Sequence, residues 1–157
     1  MAVKKPLVLN STTNKPEQLQ TGDTLADNVN QYQLINGNAG TLIICTPVYI
    51  SAAGTMDKAR ANAAGTSNCI GLVMDATILT TASGYIAFQD IMVATTAQWD
   101  AVTGQTGGLT PGATYFLDEA TAGKLKTGAV ATGYVQEVGT ATSTTEMLIA
   151  PTQPIKL

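Results

Sequence analysis

The chain has 157 residues, a formal net charge of −3, no histidine, 45 % hydrophobic residues and only 12 % charged ones, about half the usual charged share of roughly 25 %. That length fits one domain able to bury roughly two-thirds of its unfolded surface without staples, and its polar surface must be mostly Thr, Ser, Asn and Gln. The negative balance and a sequence pI near 4.7 exclude the counterion-releasing basic face of a nucleic-acid binder, and no run approaches the roughly twenty apolar residues that span a bilayer.

Residues 1–30, "MAVKKPLVLNSTTNKPEQLQTGDTLADNVN", predict an extended N-terminal arm. Pro6, Pro16 and polar spacers surround one apolar cluster, Leu7-Val8-Leu9. A segment with a single cluster cannot bury itself, so it is expected to pack on a neighbour or on its own body. The two lysines and the short apolar run broken by Pro6 do not make a signal peptide.

From residue 31 onward, short segments rich in β-formers alternate with Gly, Asn, Asp and Ser-Gly punctuation, the pattern of an all-β domain. Strands are predicted over residues 31–35, 41–51, 55–59, 70–78, 84–89, 91–94, 114–117, 124–127, 133–141 and 146–150, with 151–157 a C-terminal tail. "TLIIC" and "IGLVM" are nearly continuous apolar runs, which predicts burial of both faces, one by the core and one by a partner subunit. Low charge points the same way. Monomeric β proteins protect strand edges with Lys, Pro or bulges, and the chain has only eight Lys and Arg in total.

One segment reads as helical. "TTAQWDAVTG", residues 95–104, opens on threonines suited to an N-cap, places Trp99 and Val102 three apart, and ends on Gly104, predicting a short helix over 96–103. Trp99 is expected to plug an open barrel end, and most other aromatics, Tyr49, Tyr85, Phe88, Tyr115, Phe116 and Tyr134, to lie in the core. The fold class is therefore an all-β, compact barrel- or sandwich-like domain over 31–150.

Two stretches, 46–76 and 112–142, share a hairpin-plus-strand grammar. Tyr49, Gly54 and Ile70-Gly71 in the first correspond to Tyr115, Gly123 and Val138-Gly139 in the second. Generic hairpin patterning produces the same match, so the pattern leaves duplication open.

Candidate chemistry is sparse. Without histidine the commonest general base and metal ligand are missing, and no G-x-S-x-G occurs. Cys45 and Cys69 lack zinc or redox spacing. Their pairing is open at this level, and their apolar surroundings predict small buried hydrophobes. "GQTGGLTPG" lacks the Lys-Ser/Thr ending of a phosphate loop. Asp118 and Glu119 either point to opposite faces of a strand or solvate a turn, and Asp23 and Asp27 in "GDTLADN" offer too few oxygens for a calcium loop. Neither an enzyme nor a cofactor is expected.

The opening "KPLVLNSTTNKPEQLQTGDTLADN" resembles the leader of many tailed-bacteriophage virion proteins, and "TTAQWDAVTGQTGGLTPGATYFLDEATAGKL" and "GYVQEVGTATSTTEMLI" are similar to small phage capsid decoration (cement), head-fibre or tail-fibre proteins. Together these segments cover most of the chain. The resemblance implies a homotrimer on the virion, made in the host cytoplasm. A cement protein would bind the major capsid protein on the outer shell through Lys4, Lys5 and Leu7 to Leu9, and its subunits would meet through Leu42, Ile44, Ile70, Leu72, Ile155 and Leu157. As the alternative, a tail-fibre or head-fibre domain would bind a host glycan.

Overall fold

The structure, a computed structural model, describes residues 7–9, 16–18 and 31–157. Strand β1 (Leu7–Leu9) pairs antiparallel with β2 (Pro16–Gln18), Val8 opposite Glu17. The remainder of the expected arm lies outside the described residues.

The first half of the body contains β3 (Gln31–Asn36), β4 (Leu42–Ile43), β5 (Pro47–Ala52), β6 (Thr55–Lys58), β7 (Gly71–Val73), β8 (Thr77–Ile78) and β9 (Ser83–Ala87). Five of these close a barrel in the order β3-β6-β5-β7-β9, and β4 pairs separately with β8. The second half contains β10 (Ile91–Val93), helix α1 (Thr96–Thr103), β11 (Thr114–Leu117), β12 (Leu125–Thr127), β13 (Tyr134–Val135), β14 (Glu137–Ala141), β15 (Glu146–Ile149) and β16 (Ile155–Lys156). Its main sheet runs β10-β15-β14-β11-β12, while β13 pairs with β16. The protein is thus mostly β with a closed barrel, and the C-terminal tail supplies a strand that local pattern did not mark.

Three long predicted strands are each broken in two, for identifiable reasons. Cys45 sits at φ 67° between β4 and β5. Its N–H donates to the Val73 carbonyl, and the Val73 N–H donates to the Thr46 carbonyl, so two residues face one, as in a bulge. On the opposite strand the same bend separates β7 from β8. The third break, between β13 and β14, falls at Gln136, which is buried.

Helix α1 forms because its ends are satisfied locally. The Thr95 hydroxyl accepts the Gln98 N–H at 3.2 Å, and the Gln98 side-chain oxygen accepts the Thr95 N–H at 2.8 Å, a reciprocal capping box. Gly104 stops it in the left-handed conformation, its N–H donating to the Asp100 carbonyl. The Asp100 carboxylate then accepts N–H bonds from Gly107 and Gly108, which shapes the Gly/Pro loop. Tyr115 closes that loop, its hydroxyl donating to Gln105 at 2.6 Å and accepting the Thr110 N–H.

The core has two compartments separated by the β7–β9 wall. Inside the barrel, Leu34, Val48, Met56, Val73 and Ile86, one from each barrel strand, pack with Leu42 and Ile78 from the β4–β8 pair. Outside that wall, Leu72 and Ala87 join Trp99, Val102, Leu109, Tyr115, Leu117, Val138, Met147 and Ile149 beneath the second sheet. The register explains the division: Val73 opposes Ile86 on the inner face, and Leu72 opposes Ala87 on the outer. Each large side chain so removed from water contributes about 1.5–3 kcal/mol.

Two expectations are corrected here. Trp99 is fully buried but fills the second compartment, its indole N–H donating to the Thr145 carbonyl at 3.0 Å; the barrel interior is completed by Leu42 and Ile78 instead. Of the strand aromatics only Tyr115 is fully buried, while Tyr49, Phe88, Phe116 and Tyr134 are half-buried and Tyr85 is exposed. Tyr85 and Phe116 alternate with the buried Ile86 and Tyr115 and so face outward, Tyr49 packs against the second compartment, and Phe88 follows β9 outside any strand.

Strand pairing recurs between the halves. The order β3-β9-β7-β5-β6 around the barrel matches β10-β15-β14-β11-β12 in the second sheet, with the same antiparallel neighbours. The first copy closes through a parallel β3–β6 pair; in the second, β10 and β12 remain the two ends of an open sheet. Gly71 and Gly139 occupy equivalent places, and a Cβ at either would strike the carbonyl oxygen of the adjoining strand, Ala87 in one and Leu148 in the other. With these glycines matched, Tyr115 aligns with Val48, one place from the Tyr49 that sequence spacing selects.

Candidate interaction surface

Chemistry-bearing side chains do not converge. Among the described residues no group of three His, Cys, Asp or Glu is placed to hold a metal ion, and no helix is long and apolar enough to cross a membrane. Cys45 and Cys69 are free and buried, and burial pushes both thiols up to about 12. The Asp118 carboxylate accepts the Ala120 and Thr121 N–H groups, so it serves the turn before Gly123. Glu119 is held below the usual carboxylate range, first by a bond from its own backbone N–H and then by Lys126, 3.1 Å away. Asp23 and Asp27 lie outside the described residues.

The expected contact residues separate into three groups. Lys4 and Lys5 lie outside the described residues, and Leu7, Val8 and Leu9 are described as strand backbone. Leu42 and Leu72 are fully buried inside the single chain, so neither has side-chain surface left for a neighbour. At Leu72 and Val73 the chain's own two compartments cover both faces of "IGLVM", where a partner subunit was expected on one of them. Ile44 and Ile70 are half-buried, whereas Ile155 and Leu157 remain 61 % and 58 % exposed.

Sequence reasoning missed the most exposed apolar sheet surface. Ile91 and Val93 on β10 are 55 % and 64 % exposed, and Leu148, directly opposite Ile91 on β15, is 46 % exposed. These three share the outer face, because Met92, Met147 and Ile149 between and beside them point inward and are buried. Glu146, opposite Val93, borders the patch on this face, beyond Leu148 the row continues through Thr140 and Thr114, and farther toward β12 the face carries Glu137 and Lys126 on either side of Phe116. The signal was present in "IMVA" and "MLIA", runs as continuous as "IGLVM" but placed in an open sheet with one face uncovered.

The β10 edge adds backbone to this surface. β10 ends its sheet, and among the described residues no strand pairs on its far side. An exposed edge carrying apolar side chains is a template for association. On the β3–β9 ladder, the exposed Ile35 and Tyr85 share the outer face with Ser83 and Gln33, while Tyr32, opposite the buried Ile86, lies on the other face. No protein-family model, curated protein or solved structure matches the chain.

Proposed function

We propose that the protein is a bacteriophage capsid decoration protein, a homotrimer that binds the major capsid protein on the outer shell and stabilises the mature head. The observation that carries this reading is the outer face of the second sheet, where Ile91, Val93 and Leu148 are exposed beside the free β10 edge. Neither β10 nor β15 carries a lysine of the kind that keeps β edges apart. The resemblance of the 5–28, 95–125 and 133–149 segments to small phage virion proteins supplies the setting, the virion surface after synthesis in the host cytoplasm.

The physical task is binding without turnover. A trimer that engages only the assembled, expanded lattice stabilises it by its binding free energy, about 2.7 kcal/mol per site when free protein is at 100 times Kd. Three contacts on one body act at high effective concentration, so each can be weak. Neither an enzymatic step nor a cofactor enters the reading.

The test mixes purified protein with expanded capsids lacking it, then measures bound protein by sedimentation and quantitative gel. Saturation at a stoichiometry matching the repeating lattice is expected, together with a raised temperature of capsid disruption. No binding, or a few copies confined to a vertex or the tail, would overturn it.

A further inference from the structure

An open cavity of about 220 Å³ lies where residues 68–70 and 88–89 of the first half meet 151–153. Asn68, Ile70, Phe88, Gln89, Thr152 and Gln153 line it, and none of its lining residues is charged. Its walls are held by one buried side chain. The Gln136 amide nitrogen donates to the Cys69 carbonyl at 2.8 Å and to the Thr152 carbonyl at 2.7 Å, and its oxygen accepts the Cys69 N–H at 2.8 Å. Cys69 on one side and Thr152 on the other are therefore fixed relative to each other.

The lining dictates what fits. The side-chain amides of Asn68, Gln89 and Gln153 are exposed, and among the described residues none is engaged in a hydrogen bond, so each can offer two donors and an acceptor. Phe88, half-buried, supplies an aromatic surface. Without a cationic group the site has no claim on phosphate or another anion. Clefts for drug-sized ligands occupy roughly 300–1,000 Å³ and are mostly apolar, and this one is smaller and dominated by amides. A flat ring with an apolar C–H face and a rim of hydroxyls matches both properties.

We propose that this cavity is a subsite for one uncharged pyranose unit of a surface polysaccharide, with Phe88 against the C–H face of the ring and the Asn68, Gln89 and Gln153 amides on its hydroxyls. The inference is independent of shell binding: none of the residues lining the cavity lies on β10 or β15, so its loss leaves the Ile91, Val93 and Leu148 surface intact.

Titration of ¹⁵N-labelled protein with the methyl pyranosides of glucose, galactose, mannose and N-acetylglucosamine, with inorganic phosphate and adenosine as controls, tests it by amide shift perturbation. At least one glycoside is expected to shift the Asn68, Ile70, Phe88, Gln89 and Gln153 amides saturably, with Kd on the order of 1 mM for so small a ligand. Gln89→Ala, an exposed position that leaves the fold intact, and Phe88→Leu should each weaken binding by about tenfold, the size expected for losing one hydrogen-bonding or stacking partner. No saturable shift with any of the four glycosides, tighter binding of phosphate or adenosine, or unchanged affinity in both variants would overturn the proposal.

Discussion

The side chain of Gln136 pairs with the backbone of Cys69, 67 positions earlier, as another strand would, accepting its N–H and donating to its carbonyl, both at 2.8 Å. The same amide also donates to the Thr152 carbonyl, so one buried residue ties together the barrel half, the second sheet and the C-terminal segment. No buried side-chain polar atom lacks a partner among the described residues, and at this position the satisfaction is wholly long-range.

Replacing Gln136 with Ala therefore leaves the Cys69 N–H and two carbonyls without partners. With roughly 1–3 kcal/mol for each buried group left unsatisfied, we expect a loss of about 3 kcal/mol, seen in thermal unfolding as a Tm lower by about 6–12 °C at roughly 2–4 °C per kcal/mol. Gln136→Glu loses the amide donor and sets a carboxylate against two carbonyls. Its deficit should shrink at acid pH, where a protonated Glu can donate again. A Tm deficit independent of pH in Gln136→Glu would count against this role.

Gly71 and Gly139 should tolerate no side chain, since an added methyl meets the carbonyl of the adjoining strand in each. Gly71→Ala and Gly139→Ala are each expected to cost about 3 kcal/mol or more through overpacking. Gly54→Ala, in open space at φ 68°, should cost only about 1–2 kcal/mol of left-handed backbone strain. Urea denaturation of the three variants checks the ranking, and a Gly71→Ala protein as stable as Gly54→Ala would refute the close approach.

Burial of both thiols makes stability fall in alkali. The folded thiols ionise only near about 12, against 9.0 for an ordinary thiol. The stabilisation is complete below pH 9, and it is lost as pH rises toward 12 because the unfolded chain gives up its thiol protons first. Each thiol should cost about 1.4 kcal/mol per pH unit in that window. The Cys45→Ala, Cys69→Ala double variant should show a shallower decline between pH 9 and 11. Equal slopes would show that the thiols do not drive it.

The β10 surface can be separated from folding. Ile91→Thr, Val93→Thr and Leu148→Thr change exposed positions, so their combined effect on single-chain stability should stay within about 1 kcal/mol. Sedimentation of the triple variant should show reduced self-association and weaker capsid binding. Assembly and binding identical to the parent chain would remove this face from the proposed interface.

Much of this architecture was legible locally. The helix over 96–103 followed from Thr95, the Trp99–Val102 spacing and Gly104, all within one short segment whose caps are satisfied by near neighbours. Most strand segments were visible as β-forming runs between Gly and polar punctuation. The interruptions at Cys45 and Gln136 were not, because each is imposed by a hydrogen-bond partner distant in the chain, Val73 in one case and Cys69 and Thr152 in the other. The cavity beside Gln136 was hidden for the same reason, its walls coming from three separated segments.

The sequence by itself determined a β-rich chain, its short helix, its turns and a surface poor in charge, since these depend on propensities and spacings within a few residues. Only the tertiary structure decided which apolar faces the chain covers for itself. "IGLVM" and "IMVA" are equally apolar, yet Leu72 and Val73 are enclosed on both sides while Ile91 and Val93 stay exposed. The difference arises because the barrel half closes through β3–β6 and its β7–β9 wall has a core on either side, whereas the second sheet stays open with β10 at its edge. Alternation along a strand distinguishes its two faces, but what covers each face is set by segments far away in the chain.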